Sequence, residues 1–262
     1  MDGSLKRWCH CIVANGNVNV GNILLFAAGS LRGAFGPLLT AFQAQTGERV
    51  ETVFGPAGLL RQRIEAGEHP HIFASANLAH PQRLVDLQLS PQVHRFAQNR
   101  LCATVRNITE LTEPPLLEAL LDSRWRVATS TPGADPSGDY AQQLFDRIEQ
   151  IMPGQGTALR QRALALVGGP DSLPVPVGRP AAEYLLNSGQ ADIFLGYASY
   201  GAVLAEFPEL AVRHLPPSLA IKADYGLCLL AARAQHLAEF ILGGQGQEML
   251  REQGFLPANV MS

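Results

Sequence analysis

Three apolar runs in this chain each stop at a knot of small or turn-forming residues and give way at once to a helical pattern. Leu24-Leu25-Phe26-Ala27-Ala28 runs into Gly29-Ser30-Leu31, Arg49 to Phe54 into Gly55-Pro56-Ala57-Gly58, and Arg126 to Ser130 into the turn-rich loop Thr131 to Gly138. Apolar runs of roughly four to eight residues bounded by such turns read as buried strands. Strands that alternate with helices build a mostly parallel sheet with helices on its faces. Small residues let a ligand approach the backbone closely. The first N–H groups of a helix lack intrahelical partners and sit at its positive end, so these junctions favour an anion. Ligands of open α/β sheets bind beyond the carboxyl ends of the strands, where three such junctions would form a polar, mainly neutral cage. Ser30 stands at a helix N-cap position, which gives its hydroxyl a local role beside any ligand role.

The same alternation continues along the chain. Helices are expected over Leu31 to Gln45, closed by Thr46-Gly47, and over Leu59 to Ala66, Pro81 to Leu87 and Pro114 to Leu121. Further helices fall at Asp139 to Gln150, Thr157 to Val167, Ala181 to Asn187, Gln235 to Gly243 and Gly246 to Gln253. Strands are expected at His71 to Ala76, Leu101 to Val105, Asp192 to Gly196 and Tyr225 to Ala231. Between Gly168 and Pro180 the prolines exclude a regular helix or a central strand.

Composition narrows the class. With 262 residues, 47% hydrophobic and 16% charged, the chain carries a sizeable core and one large or two ordinary domains. A formal net charge of −3 offers no basic field for nucleic acid. No apolar run reaches the roughly 18–20 residues of a membrane span. Residues 1–21 are expected to lie outside the folded core, because the stretch after Lys6 and Arg7 is too short and polar for a secretory apolar region. Cys9-His10-Cys11 lacks the usual spacing of zinc ligands and no second ligand cluster follows. Cys102 and Cys228 sit in apolar runs as small buried hydrophobes, or as a disulfide if their strands are neighbours. His69 and His71 flank Pro70 as a surface turn without partner carboxylates. Asp135 is expected to brace its loop through an Asx-type hydrogen bond, since a carboxylate repels an anion.

Phe26-Ala27-Ala28-Gly29-Ser30-Leu31, Ile64-Glu65-Ala66-Gly67 and Phe73-Ala74-Ser75-Ala76-Asn77 resemble, in order and spacing, the periplasmic molybdate-binding proteins of ABC transporters. The likeness continues through Pro136-Ser137-Gly138-Asp139-Tyr140, Gly189-Gln190-Ala191-Asp192 with Gly196-Tyr197, and Gln253-Gly254-Phe255. It spans about Asn22 to Leu256. The resemblance implies an α/β, two-lobed fold of the type II periplasmic binding proteins, each lobe a mixed, mostly parallel sheet flanked by helices. It implies lobe I from residues 22–100 plus 222–262, lobe II from 101–221, and crossovers near Asn99-Arg100 and Ala223-Asp224. The function implied is capture of a small oxyanion, molybdate or tungstate first, for delivery to an ABC permease in the periplasm by a monomer without cofactor or resident metal. Carried over by position, the ligand would meet Ser30, Ala57, Ala76, Ser137 and Tyr197.

Two positions depart from the family pattern. Ala57 stands where a second ligand serine falls, leaving only its amide, and Arg179 stands near a position that usually offers a backbone amide. Turned inward, Arg179 would add a charge-assisted contact. These changes extend the expected ligands to sulfate, other oxyanions or a small carboxylate. A serine hydrolase is the contrasting reading, but Ala28 and Arg32 occupy the outer glycine positions of the nucleophile elbow. The effector half of a transcription regulator shares the two-lobed fold, yet no basic helix-turn-helix precedes it.

Overall fold

The computed structural model describes residues 22–172, 174–176 and 178–258. Three parallel strands open the chain: β1 (Ile23–Ala28), β2 (Val50–Gly55) and β3 (Ile72–Ser75). Between and after them lie helices α1 (Arg32–Thr46), α2 (Ala57–Glu65) and α3 (Ala79–Asp86). The α1 helix stops where foreseen, at Gly47, whose φ of 73° places it in the left-handed conformation that glycine adopts without strain.

A long strand, β4 (His94–Arg106), then runs through both halves of the molecule. Helices α4 (Thr109–Thr112) and α5 (Leu116–Leu121) lead to β5 (Val127–Ser130), α6 (Pro136–Ile151), α7 (Gln155–Arg162) and β6 (Leu164–Val167). After the proline-rich stretch come α8 (Ala181–Asn187), β7 (Ile193–Tyr197), α9 (Gly201–Leu204) and β8 (Leu210–His214). The chain returns along β9 (Lys222–Leu229) and closes with α10 (Gln235–Leu242), α11 (Gly244–Glu252) and the short β10 (Leu256–Pro257).

The strands form one curled mixed sheet ordered β2-β1-β3-β9-β4-β7-β5-β6, with β8 and β10 also on β4. The parallel parts are β2-β1-β3 on one side and β7-β5-β6 on the other, while β4 and β9 run antiparallel between them. Along β4 the partner changes: Arg100 faces Lys222 of β9, and Leu101 faces Tyr197 of β7. Helices thus flank two half-sheets joined through β4 and β9.

One large core fills both halves, with Phe26, Phe35, Phe42, Phe73 and Tyr225 fully buried on one side and Phe145 on the other. A smaller cluster of Leu185, Leu186, Phe194 and Leu204 underlies α8. A chain of edge-to-face aromatic contacts links the halves, Phe96 to Tyr225 at 6.1 Å within one, Tyr225 to Tyr197 at 5.9 Å across, and Tyr197 to Tyr140 at 6.4 Å within the other. Such pairs add to the area they bury.

The structure corrects several local expectations. The expected helix over Thr157 to Val167 ends at Arg162, and Leu164–Val167 is the edge strand β6 beside β5. Strand β8 and the first half of β4 were not expected; in β4 a bulge between Arg95 and Ala97 breaks the alternation. Cys102 and Cys228 are free buried thiols: their strands β4 and β9 are neighbours, but Cys102 faces Gly196 and His214 while Cys228 faces Phe73. Burial pushes both thiols up to about 12. His71 is structural, its Nδ1 accepting the Leu24 N–H at 2.8 Å. Cys9-His10-Cys11 and the rest of residues 1–21 lie outside the described residues.

Candidate functional site

A cavity of about 270 Å³ lies where the two half-sheets face each other. The last residues of five strands line it: Ala28 of β1, Gly55 of β2, Ser130 of β5, Val167 of β6 and Tyr197 of β7. Both parallel groups therefore point their carboxyl ends at one space, the place such sheets bind ligands.

Ser30, Ala57, Ser137 and Tyr197 all line this cavity. Ser30 is not an N-cap. It sits inside a single 3-10 turn, Gly29–Leu31, and α1 starts without a side-chain cap. Its Oγ instead lies 2.9 Å from the hydroxyl of fully buried Tyr225. Asn99 holds the other side of that hydroxyl at 3.5 Å and donates to Ser199 at 2.8 Å. Ala57 is the first residue of α2, so its amide lies at the positive end of a nine-residue helix. Ser137, near the start of α6, donates its N–H to Asp135 Oδ1 at 3.0 Å, which makes Asp135 the cap of that helix. The Asx-type bond expected for Asp135 is thus present.

Tyr197 is 5% exposed, and its buried hydroxyl has no hydrogen-bond partner among the described residues. A buried polar group left unpaired is costly, so its position in a cavity wall points to a polar guest. Burial raises its pKa well above the ordinary phenol value, keeping it a neutral donor.

Two expected ligand residues stand elsewhere. Ala76 is buried just past β3 and does not line the cavity. Arg179 also lies off the cavity wall; its Nε donates to Glu183 Oε2 at 2.7 Å, a second nitrogen meets Oε1, and the guanidinium rests 5.3 Å from the Tyr184 ring. A carboxylate one helical turn away satisfies the charge locally, which is why it does not turn inward. Val177, in the same stretch, lies outside the described residues.

The cavity also holds residues that sequence reading passed over. Arg32, in the first turn of α1, lines it with its guanidinium 4.5 Å from the Phe54 ring. A cation there opposes the helix dipole, and that misplacement was the available signal. Tyr200 lines the same wall and donates to the Gly29 carbonyl at 3.4 Å. Among the described residues Asp135, which the sequence reading had placed as a brace for its loop, is the one acidic residue lining it. Burial pushes its carboxyl up to about 6, against hydrogen bonds from the Ser137 N–H and the Ser130 hydroxyl.

The halves touch at the cleft mouth. The Gly58 N–H donates to the Ala134 carbonyl at 2.9 Å, and a Cβ at Gly58 would lie 2.3 Å from the Gly133 oxygen. Among the described residues, no group of three or more His, Cys, Asp or Glu is arranged to hold a metal ion. No described helix is long and apolar enough to cross a membrane.

A two-lobed sheet with a strand-end cleft defines a binding protein of the periplasmic type II class. The chain belongs to the bacterial extracellular solute-binding protein family, whose model matches residues 23–256. It is 42% identical over 237 residues, 90% of this chain and 98% of the other, to an uncharacterised protein of Pasteurella multocida strain Pm70. It is 25% identical over 256 residues, 93% of this chain and 92% of the other, to the molybdate-binding protein ModA of Escherichia coli K12. Among solved structures it resembles the sulfate-binding protein SubI of Mycobacterium tuberculosis, with a TM-score of 0.71, 16% identity and coverage of 91% and 88% of the two chains. Family and fold are those of transporter binding proteins, not of an enzyme.

Proposed function

We propose that this protein captures a small oxyanion in the cleft, with molybdate and tungstate the leading ligands, and passes it to an ABC permease from the periplasm. The lobes are taken as residues 22–100 plus 222–262 and 101–221, hinged where β4 exchanges β9 for β7, and the chain works as a monomer. The observation that carries the reading is the Tyr197 hydroxyl, without a partner among the described residues, in the wall of a cavity that Ser30 and the start of α2 also line.

A desolvated anion needs several hydrogen bonds, and each to a charged group is worth about 1.5–3 kcal/mol. Ser30, the Ala57 amide, Ser137 and Tyr197 are the donors proposed for it, with Arg32 supplying positive charge. The relationship to ModA supports molybdate. The missing hydroxyl at Ala57 keeps sulfate or a small carboxylate as the alternative. Ligand contacts made to both lobes favour the closed state over the open one.

A thermal-shift panel of molybdate, tungstate, sulfate, phosphate and small carboxylates tests the reading. Stabilisation by molybdate or tungstate above the others is expected. Stabilisation by a carboxylate alone overturns the ligand, and none from any anion overturns the function.

A further inference from the structure

A carboxylate stands inside the proposed anion site. Asp135 lines the cavity and caps α6, so the positive end of that helix already faces an anion belonging to the chain itself. The Ser137 N–H, one of the donors proposed for the ligand, is engaged by Asp135 Oδ1 at 3.0 Å. The other carboxylate oxygen faces Gly168, where a Cβ would come within 2.8 Å of it.

The groups around Asp135 come from every side of the cavity. Asp139, on the same helix, adds negative charge, while the Ser130 hydroxyl at the end of β5 donates to the carboxylate. Tyr197 of β7 and Tyr200 of the following turn are near enough that its charge raises both phenols. Arg32 of α1 is the cation lining the same cavity. The unpartnered, 95%-buried Tyr197 side chain independently marks this wall as the ligand's (5% exposed). A doubly charged tetrahedral anion placed there shares the site with a carboxylate, and like charges in one buried site do not both stay fully ionised.

Resting on the oxyanion reading, we propose that Asp135 makes capture proton-coupled: the cleft holds a tetrahedral dianion only together with one proton, taken up from solvent by Asp135 or carried on the ligand. The protonated carboxyl turns from a repelling charge into a hydrogen-bond donor. Specificity follows from the same residue. As pH rises, an anion that carries its own proton, such as hydrogen phosphate, gains on a fully ionised one such as sulfate.

The test is calorimetric titration of the full chain with sulfate and with molybdate, both doubly ionised between pH 6.5 and about 8, in two buffers of different ionisation enthalpy. Uptake near one proton per bound anion is expected at about pH 7.5, with affinity falling about tenfold from about pH 6.5 to 7.5. Asp135→Asn keeps a capping side chain, so α6 is retained. That variant is expected to bind with no pH slope and about tenfold more tightly than wild type at about pH 7.5. Wild-type binding without proton uptake overturns proton coupling alone, as does an Asp135→Asn variant that binds more weakly or keeps the slope. Binding of neither anion by either protein at any pH overturns the oxyanion reading with it.

Discussion

Ser30 and Tyr197 face one cavity but stand in different debt to the fold. Ser30 shares its hydroxyl with Tyr225, whereas the Tyr197 hydroxyl has no partner among the described residues. Ser30→Ala should therefore cost stability, about 1 kcal/mol as Tyr225 loses a bond, as well as affinity. Tyr197→Phe should leave the melting temperature of the ligand-free protein unchanged or raised, because it removes an unsatisfied group, while weakening oxyanion binding about tenfold. Denaturation and titration of the two variants side by side check this; a Tyr197→Phe protein that is destabilised yet binds normally would assign the hydroxyl to the fold. Ser30, Ala57, Ser137 and Tyr197 were legible because each adjoins a strand end or helix start that the turn residues mark. Arg179 was not, since its pairing with Glu183 depends on where α8 begins, and Arg32 was passed over although a cation in a helix's first turn marks it.

At the scale of elements, the junction of β2 and α2 does more than offer an amide. Gly58 lies where α2 meets the loop of residues 131–135, and its N–H bonds to the Ala134 carbonyl across the cleft. With a Cβ the approach would close to 2.3 Å from the Gly133 oxygen, a contact backbone cannot relieve by a rotamer change. Gly58→Ala is therefore expected to hold the lobes apart: a larger radius of gyration in small-angle scattering, affinity reduced more than about tenfold, and a melting temperature near wild type. A variant that closes on ligand as wild type does would remove Gly58 from the closure contact. Strands bounded by Gly, Pro and Ser were readable from sequence, as β1, β2, β5 and β7 illustrate. The run Leu164–Val167 was not, because four apolar residues directly after a helix look like its continuation until β5 supplies the pairing. β4 hid its length for a different reason: a bulge between Arg95 and Ala97 interrupts its first half, while Leu101 to Val105 in its second half are buried on both faces.

Across the whole molecule, buried Asp192 and half-buried Asp135 set opposite pH limits on stability. Burial alone would raise Asp192, but hydrogen bonds from the Arg126 side chain and backbone, with Arg106 nearby, hold it below the ordinary value. Its stabilisation is present above the unfolded value of about 3.9 and is lost as pH falls through the lower folded one. Asp135 is raised to about 6, so its contribution is full below the unfolded value and is lost as pH climbs through about 6. The melting temperature without ligand should accordingly peak on the acid side of neutrality, between about pH 4 and 6, and Asp135→Asn should remove the fall above it. A melting profile that rises from pH 5 to about 7.5 would contradict that assignment. Isothermal titration of the full chain with molybdate probes the cleft that joins the lobes. Saturable binding of one anion per chain is expected, weakened by Tyr197→Phe and by Ser30→Ala. A cleft that binds neither molybdate nor tungstate, sulfate or phosphate in the same cell is not an oxyanion site.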